Sequence, residues 1–427
     1  MSHRIGIALL GKGATNHLHL QVVVEAFRSA GVEPCFLVRD DYMPILKQIE
    51  GCEHHPVSIS SANGWRAQLV HFLESVRGLY PSTEPGRYLR TPTWRELSLP
   101  GKISFALRTV LGRFLWVSRL AIRLEARLLE PGQVQGLDDV ALDQVLVLGV
   151  NTGVEGIFSR WAQSRGLSVV HYVGNYDNLS SKGFRAVDVS RLLVWGPSML
   201  EDAQTMQGVP ASRVSVTGAL RYNNTMVGKL DDDRAGFLEG LGLDPAKRTL
   251  LYAGGMMEDA CFEMLEVYRL LREEREDVQL ILRLYPNKRF MDSVQVPLII
   301  RLADSLPGVY VSLGDPHYRS GRKTADVLHV EEYELVNALK ACDVVINHFS
   351  TIAVEASIFD KPALQMWYFL KPNGAMRFPP VYLNWPSCFH TRRLLSYGAT
   401  PVVESREALM DGIREALDEP AKRAAEF

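Results

Sequence analysis

The sequence lacks the features that mark several large classes of protein. No uncharged apolar run approaches the roughly 20 residues that a membrane-spanning helix needs. The opening segment MSHRIGIALLGKG lacks the basic region, long apolar stretch and small-residue cleavage site of a secretory signal peptide. We therefore predict a cytoplasmic protein, with peripheral attachment to the inner face of the cell membrane as the alternative.

Cysteine patterns and net charge exclude two further classes. The five cysteines are scattered and form no CxxC or His-rich spacing, which predicts core thiols in a reducing compartment and no metal site. With 47 Lys plus Arg against 49 Asp plus Glu, the formal net charge is -2. A nucleic-acid binder usually has a strongly basic surface, so we expect no nucleic-acid partner. The acidic run Asp231, Asp232 and Asp233 is interpreted as a solvated charge run.

What the sequence does contain is a repeated alternation of short apolar runs and helix-period segments. This pattern predicts βα units with mostly parallel sheets, and it occurs once in each half of the 427 residues. The strand candidates of the first half are RIGIALL, EPCFLV, QVLVLGV, LSVVHYV and RLLVWG. Those of the second half are RTLLYAGG, VQLILRLYP, VYVSL, VLHV, DVVINH and KPALQM.

The segment between the two halves is polar, rich in Asp and Gly, and contains no strand candidate. We predict an N-terminal Rossmann-like domain over 1–222, a linker over 223–247 and a C-terminal Rossmann-like domain over 248–400. The tail 401–427 has helical periodicity, and we expect it to form a helix that can pack back across the domains.

The segment VVINHFSTIAVEASIFDKPAL places a hydroxyl pair at the end of a buried strand candidate. Ser350 and Thr351 precede a helical segment, and helix starts at the carboxyl ends of parallel strands commonly bind anions. The alternative is that Ser350 is only a helix cap. A capping box would need its acid at Ala353, so Glu355 has another role.

Glu355 lies one helical turn, about 5.4 Å, after Thr351. Its helical neighbours are largely apolar, and a carboxylate in such surroundings needs a polar partner. This separation suits a ligand that offers phosphate to the helix start and ribose hydroxyls to the carboxylate. We therefore favour a nucleotide site over a purely structural role.

The segment LRLYPNK places cations at the end of another strand candidate. Arg283 alternates with Leu282 and Leu284, so on a strand it faces the opposite side, and Lys288 follows a proline turn. We predict that Arg283 and Lys288 help hold a diphosphate. A solvated strand end is the alternative.

These segments of the second half resemble the donor-binding domain of GT-B glycosyltransferases. The resemblance spans roughly 248–366 and is strongest to the branch of CDP-glycerol glycerophosphotransferases and of capsule or lipopolysaccharide transferases, and more distant to the UDP-N-acetylglucosamine 2-epimerases. It implies two Rossmann-like domains whose parallel sheets face a central cleft. It also implies that the nucleotide diphosphate is bound by Arg283, Asn287, His348, Ser350, Thr351 and Glu355.

The first strand candidate is followed by a glycine-containing loop, GKGATNH. It resembles the first βα unit of GT-B enzymes, in which Gly11 and Gly13 would permit a tight loop beside Asn16. A GxGxxG dinucleotide motif is a weaker interpretation because its third glycine is missing. We predict that His17 is the base that removes a proton from an acceptor hydroxyl. His19 and a purely structural histidine are the alternatives.

The segment GNYDNLSSKG follows the strand candidate LSVVHYV. It offers Asp177, Asn178, Ser181 and Lys182 in one loop, which can orient a sugar or a phosphate. Such clusters are also ordinary turn chemistry. A similar segment occurs in the capsule-type relatives that the chain resembles, so we favour a functional loop and propose Asp177 as the rival catalytic base.

Residues 101–130 combine basic and apolar side chains. The segment holds six basic and two acidic residues, and its arginines interleave with Phe105, Phe114, Leu115 and Trp116. This composition is typical of an interfacial helix that contacts anionic lipid. A helix that buries its apolar side on the sheet is the equal alternative.

These features predict a glycosyltransferase that moves a sugar or related group from a nucleotide-activated donor to a surface-glycan or lipid-linked acceptor. The helix start at Ser350 and Thr351 would stabilise the diphosphate leaving group, and a base in the N-terminal domain would activate the acceptor hydroxyl. We expect no cofactor, because the nucleotide-diphosphate sugar is a substrate. The alternatives are a UDP-sugar 2-epimerase on the same scaffold and a non-catalytic nucleotide-sugar-binding protein.

Overall fold

The structure is a computed structural model of the 427-residue chain. It describes residues 4–10, 17–39, 52–80, 97–130, 132–149, 153–220, 233–254, 257–285, 288–313, 334–368, 388–398 and 400–419. The chain divides into two compact units. Unit 1 comprises residues 1–227 and 388–390, and unit 2 comprises residues 228–387 and 391–427.

Unit 1 is built on a parallel sheet of the order β3-β2-β1-β6-β7-β8-β9 within the described residues. A two-stranded antiparallel pair, β4 with β5, accompanies it. The strands are β1 (Arg4–Leu9), β2 (Glu33–Val38), β3 (Glu53–Pro56), β4 (Ser58–Ile59), β5 (Val134–Gln135), β6 (Gln144–Leu148), β7 (Ser168–Tyr172), β8 (Arg191–Val194) and β9 (Val214–Val216).

Unit 1 has seven helices longer than a single turn of 3-10 type among its described residues, and several of them pack on the sheet. They are α1 (His17–Ser29), α2 (Gly64–Gly78), α3 (Leu99–Leu111), α4 (Leu115–Arg127), α5 (Gly153–Ser164), α6 (Asn178–Ser181) and α7 (Pro197–Thr205). Alternate residues of the buried strands pack on opposite faces of the sheet. Ile7 and Val24 share one hydrophobic cluster, and Val147 and Phe158 share another. Both faces are therefore covered, as parallel sheets require.

A buried ion triad joins three helices of unit 1. Arg77 of α2 donates from Nε to Glu125 Oε1 of α4 at 3.1 Å, and Arg160 of α5 donates from Nη1 to Glu125 Oε2 at 2.7 Å. Arg77 Nη1 also donates to the backbone oxygen of Phe184 at 2.5 Å. Because removing one partner would leave a buried charge uncompensated, the triad ties these helices into one arrangement.

Unit 2 is built on a second parallel sheet, of the order β12-β11-β10-β13-β14-β15 within the described residues. Its strands are β10 (Arg248–Ala253), β11 (Val278–Arg283), β12 (Val309–Ser312), β13 (Val344–Asn347), β14 (Ala363–Met366) and β15 (Val402–Val403). Its helices are α8 (Arg234–Gly240), α9 (Glu258–Glu274), α10 (Lys288–Met291), α11 (Val296–Asp304), α12 (334–341), α13 (Ile352–Ile358), α14 (Phe389–Ser396) and α15 (Arg406–Asp418), except that the first two residues of α14 belong to unit 1.

The C-terminal helix α15 packs on the sheet of unit 2. Leu409 and Ile413 are fully buried in the same cluster as Leu364 of β14. Arg406 forms a two-bond ion pair with Glu263 of α9, with both distances at 2.6 Å. The tail is therefore part of the core of unit 2, through the face that its helical periodicity makes apolar.

The prediction of two parallel α/β halves is confirmed. The predicted strands correspond to β1, β2, β6, β7 and β8 in unit 1 and to β10 to β14 in unit 2, while VLHV lies outside the described residues. The edge strands β3, β9 and β15 were not predicted, because EHHP is polar and VSV and VV are too short to show a period. Within the predicted linker, α8 buries Leu238 against the core of unit 2.

Among the described residues, no helix is both long enough and apolar enough to cross a bilayer.

Candidate functional site

A row of polar side chains crosses the carboxyl edge of the sheet in unit 2. In register from strand to strand, Ser312 pairs with Arg283, Arg283 with Ala253, Ala253 with Asn347, and Asn347 with Gln365. All five are buried, and their strand neighbours two residues earlier belong to one face of the sheet. Buried polar side chains at this edge are the usual lining of a ligand site in parallel sheets.

Arg283 faces away from its leucine neighbours, as predicted. Leu282 and Leu284 are buried in the cluster on the opposite face of the sheet. Arg283 donates from Nη1 to Ser312 Oγ at 3.0 Å and lies 3.8 Å from Glu334 Oε1. The arrangement holds the guanidinium at the strand end with its side chain 8% exposed.

Two side-chain amides hold the turn after β13. Gln365 Oε1 accepts a hydrogen bond from the backbone N–H of Phe349 at 2.7 Å, and Asn347 Oδ1 accepts one from the backbone N–H of Ser350 at 3.2 Å. Phe349 adopts a φ of 50°, which is uncommon for a residue with a side chain. The two amides therefore stabilise a turn that the backbone alone would not favour.

The same turn presents polar atoms that lack a hydrogen-bond partner among the described residues. They are Asn347 Nδ2, Gln365 Nε2 and Ser350 Oγ, and all three are buried. Buried polar atoms in native proteins are nearly always hydrogen-bonded, so each unsatisfied one needs an explanation. A ligand with several acceptor oxygens would satisfy all three.

His348 is held between two strands of unit 2. Its Nε2 lies 2.9 Å from the hydroxyl of Tyr252 on β10, and its Nδ1 lies 2.8 Å from the backbone oxygen of Met366 on β14. Burial lowers the pKa of His348 to about 4, although the bond to Met366 opposes this shift. The ring is therefore neutral near pH 7, with both nitrogens engaged inside the protein.

Tyr252 also explains a glycine beside this site. A Cβ added to Gly254 would lie 2.3 Å from the Tyr252 hydroxyl oxygen, which is closer than atoms can approach. The glycine at the end of β10 therefore allows the ring of Tyr252 to lie against His348, with the two rings edge to face at 5.7 Å.

The helix α13 begins beyond the hydroxyl pair. Thr351 is the N-cap residue of α13, and its side chain makes no capping hydrogen bond to the helix. The backbone N–H of Glu355 donates to the backbone oxygen of Thr351 at 3.0 Å, which confirms that Glu355 lies one turn later. Glu355 is 5% exposed. The alternative in which Ser350 serves only as a cap is not supported, because its hydroxyl makes no capping bond.

Several predicted residues of both sites cannot be placed. Gly11, Gly13, Asn16 and Asn287 lie outside the described residues. The structure places His17 at the start of α1 and Lys288 at the start of α10, and the described side chains include neither of them, nor His19. The roles assigned to these residues remain predictions.

In unit 1, Asp177 lies after β7 at the carboxyl edge of the first sheet. Its Oδ2 accepts a hydrogen bond from Ser181 Oγ at 2.6 Å, while its Oδ1 is buried without a hydrogen-bond partner among the described residues. Asn178 begins the short helix α6, and Lys182 follows it with an exposed side chain. The loop predicted from the sequence thus brings a carboxylate, a hydroxyl and a cation to one sheet edge.

His390 joins the Asp177 loop, and no sequence signal predicts it. Its Nδ1 lies 3.5 Å from Ser180 Oγ, and its ring packs edge to face on Tyr176 with centroids 5.6 Å apart. Burial lowers the pKa of His390, whereas the charge of Asp177 opposes the shift. Burial raises the pKa of Tyr176, and the nearby negative charge of Asp177 raises it further. The imidazole of His390 therefore lies close enough to the Asp177 loop to feel its negative charge.

A cavity of about 310 Å³ opens beside this loop. Lys182 lines it together with residues of α2 and α3, which include His71, Glu74, Arg77 and Arg108. The buried ion triad fixes one wall, because Arg77 belongs to both. The cavity offers cations, an imidazole and a carboxylate, which suits a polar ligand. Within the described residues, no group of three or more His, Cys, Asp or Glu side chains is arranged to hold a metal ion.

Comparisons with known proteins support the fold. No protein-family model and no curated protein matches the sequence. Among solved structures, a UDP-N-acetylglucosamine 2-epimerase is similar with a TM-score of 0.56 at 13% identity, over 100% of this chain and 90% of the other. The epimerase from Neisseria meningitidis bound to UDP-GlcNAc has a TM-score of 0.51 at 11% identity, over 100% and 94%.

A third solved structure is a transferase. The glycotransferase of kitacinnamycin is similar with a TM-score of 0.52 at 12% identity, over 100% of this chain and 92% of the other. The chain therefore has a GT-B fold of two Rossmann-like halves. Identities this low show the fold alone, and the CDP-glycerol branch named from sequence motifs finds no support among these structures.

The buried His348 predicts an acid-dependent loss of stability. Its pKa in the folded protein, about 4, lies below the ordinary value of 6.5, so the unfolded chain binds the proton more readily. The stabilisation is complete above pH 6.5 and is lost as the pH falls toward 4. We expect protonation of this group in the unfolded chain to lower the free energy of unfolding by about 2 kcal/mol between pH 7 and pH 5. Urea unfolding at both pH values should show a smaller loss in His348→Gln than in the wild type.

His71 supplies the control for this experiment. Its side chain is exposed, and His71→Gln should keep the wild-type difference between the two pH values. Equal acid sensitivity of the His348→Gln protein and the wild type would contradict the inferred state of His348.

Proposed function

We propose that the protein is a glycosyltransferase that transfers a sugar or related group from a nucleotide-activated donor to a surface-glycan or lipid-linked acceptor. The observation that carries the proposal is the polar row Arg283, Asn347 and Gln365 at one sheet edge, followed by Glu355 one turn into the next helix. The GT-B fold supports it, since that fold also occurs in a solved transferase and in epimerases with a nucleotide sugar.

The donor would be held by groups of complementary chemistry. The Arg283 guanidinium and the unsatisfied donors of Asn347, Gln365 and Ser350 suit the oxygens of a diphosphate. The buried Glu355 suits the ribose hydroxyls, which donate hydrogen bonds to a carboxylate. His348 would shape the turn rather than bind the donor through its nitrogens, because both are already engaged.

Asp177 is the group that we assign to proton removal. In the reaction the acceptor oxygen attacks the anomeric carbon, the bond from that carbon to the diphosphate oxygen breaks, and the hydroxyl proton passes to the carboxylate. The buried Oδ1 of Asp177 has no hydrogen-bond partner among the described residues, so it can accept a proton without losing an existing bond. His17, which the sequence predicts as the base ahead of Asp177, remains the alternative.

An exposed apolar stripe favours a lipid-linked acceptor. Leu99, Ile103, Leu107 and Val110 lie along one face of α3, and each is at least half exposed. No residue of α3 is buried. Of the two acids in residues 101–130, Glu125 is buried between two arginines and is therefore not available at the surface. An apolar face with surrounding basic charge suits an anionic lipid surface.

An epimerase is the second candidate, because solved structures with the same fold include UDP-N-acetylglucosamine 2-epimerases. It would convert a UDP-sugar with no acceptor present. The cavity beside Lys182 and the stripe on α3 favour transfer, since an epimerase needs neither an acceptor pocket nor a membrane face.

The donor site predicts which variants lose nucleotide binding. We expect Glu355→Ala and Arg283→Ala to weaken nucleotide affinity at least about tenfold, because each removes a charged partner of the ligand. Isothermal titration against UDP, CDP, GDP and CMP measures these affinities and identifies the preferred nucleobase of the donor. Asp177→Asn should bind like the wild type, and unchanged affinity in both donor-site variants would contradict the assignment.

The acid Asp177 predicts a separation of binding from turnover. Asp177→Asn should retain nucleotide affinity and lose at least about a hundredfold in transfer rate, because an amide accepts no proton. The measurements are release of nucleoside diphosphate with and without an acceptor glycan, and conversion of the UDP-sugar alone to its epimer. Ser180→Ala is the structural control in the same loop. Turnover of a UDP-sugar alone at full rate would favour the epimerase, and an unaffected Asp177→Asn protein would leave His17 as the base.

The stripe on α3 predicts binding to lipid. Ile103→Ser combined with Leu107→Ser should reduce co-sedimentation with anionic vesicles severalfold, because about half of each side chain already faces solvent and is available to the bilayer. Leu302→Ser, at an exposed position of α11, is the matched control. Equal sedimentation of the two variants would show that the stripe does not contact lipid.

A further inference from the structure

Four arginines of unit 1 surround a cavity of about 210 Å³. Arg119 and Arg123 come from α4, Arg185 from the segment before β8, and Arg213 from the single helical turn before β9. Among the described residues that line this cavity, Asp188 is the one acid. The lining therefore carries a formal excess of positive charge.

Arg185 is the buried member of the four and is only partly satisfied. It is 7% exposed, and its Nη2 forms an ion pair with Asp188. Its Nε and Nη1 are buried without a hydrogen-bond partner among the described residues. The guanidinium carbon lies over the Phe184 ring, 4.4 Å from its centroid. Two buried charged donors without acceptors are costly unless an anion satisfies them.

A buried amide fixes the backbone at Arg185. The backbone N–H of Arg185 donates to Gln207 Oε1 at 2.9 Å, and Gln207 Nε2 donates to the backbone oxygens of Leu179 and Gly183 at 2.7 and 3.0 Å. Gln207 is fully buried. Its three hydrogen bonds hold the chain rigidly, so the Arg185 side chain starts from a fixed position.

Gly208 leaves room for a second guanidinium. A Cβ at this position would lie 2.9 Å from Arg119 Nη2, and the φ of Gly208 is 59°, in the region that favours glycine. Burial lowers the pKa of Arg185, and the charges of Arg119 and Arg213 lower it further while Asp188 raises it. The chain thus brings like charges together at a cost that a bound anion would offset.

This cavity lies at the opposite edge of the sheet from Asp177. Asp188 and Arg213 precede β8 and β9, so the cavity is at the amino ends of these strands, whereas Asp177 follows β7 at the carboxyl edge. The four arginines are therefore separate from the groups to which catalysis is assigned above.

We propose that the pocket formed by Arg119, Arg123, Arg185 and Arg213 binds a phosphate group. Guanidinium groups match phosphate oxygens in planar, two-bond geometry, which is why arginine clusters select phosphate over singly charged anions. Two sources share this chemistry: the headgroup of an anionic phospholipid and a soluble phosphate ester. The exposed Trp116 and Leu120 of α4 lie on the same helix as two of the arginines and are compatible with the lipid source.

Titration with inorganic phosphate tests the pocket in the full-length protein. Arg123→Gln and Arg213→Gln change exposed side chains, so both proteins should fold, and each should bind phosphate about tenfold more weakly. Arg185→Gln should bind more weakly still, and Asp188→Asn should bind more tightly because the competing acid is removed. Arg127→Gln is the matched control, since it removes one arginine of α4 that does not line the cavity.

The comparison between variants separates this pocket from the proposed donor site. Phosphate that binds only beside Arg283 would be insensitive to changes at Arg123 and Arg213. Equal affinities of the Arg123→Gln, Arg213→Gln and Arg127→Gln proteins, or no phosphate binding by the wild type, would overturn the proposal. Loss of affinity in the first two with retention in the third would support it, whether or not the protein is a transferase.

Vesicles distinguish the two sources of phosphate. Phosphatidylcholine vesicles with and without phosphatidylglycerol are mixed with the wild type, Arg123→Gln and Arg127→Gln. Binding that needs phosphatidylglycerol, is lost in Arg123→Gln alone and is displaced by inorganic phosphate would identify a lipid headgroup. Vesicle binding that is equal in all three proteins, together with selective loss of free phosphate in Arg123→Gln, would identify a soluble phosphate ester.

Discussion

A polar side chain that is buried at the end of a strand is nearly always hydrogen-bonded, by the protein, by water or by a ligand. In unit 2 this constraint organises the whole carboxyl edge of the sheet. Asn347 and Gln365 each use one amide atom to hold the turn into α13 and keep the other unsatisfied among the described residues. His348 is fully engaged beside them. The residues that build the turn therefore also present hydrogen-bond donors that no described residue satisfies.

The same constraint has three different outcomes in unit 1. Glu125 is satisfied by two arginines and fastens helices together. Asp177 is satisfied at one oxygen only and lies at the edge where chemistry is expected. Arg185 is satisfied at one nitrogen only and lies at the other edge. These three groups thus differ in how many of their polar atoms the described residues bond.

Much of this organisation could be predicted from the sequence, and the reasons for the omissions are physical. Apolar runs predict buried strands, and alternation alone placed Arg283 on the face away from its leucines. Spacing along a helix placed Glu355 one turn after Thr351. Gln365 could not be predicted because its position depends on strand register. His390 could not be predicted because it meets Ser180, 210 residues away in sequence, only after folding. The same holds for the catalytic base, because a loop sequence shows which groups are present but not which atoms, such as Asp177 Oδ1, lack a hydrogen-bond partner among the described residues.

The glycine at position 208 has a consequence for the natural history of the chain. An alanine there would place its Cβ 2.9 Å from Arg119 Nη2, on a backbone whose φ of 59° favours glycine, without altering a charge. A neutral substitution could therefore displace one guanidinium from the arginine pocket while every charged residue around it persists. Across descendants of a common ancestor, loss of glycine at this position would mark lineages that abandoned the pocket, even where every arginine persists.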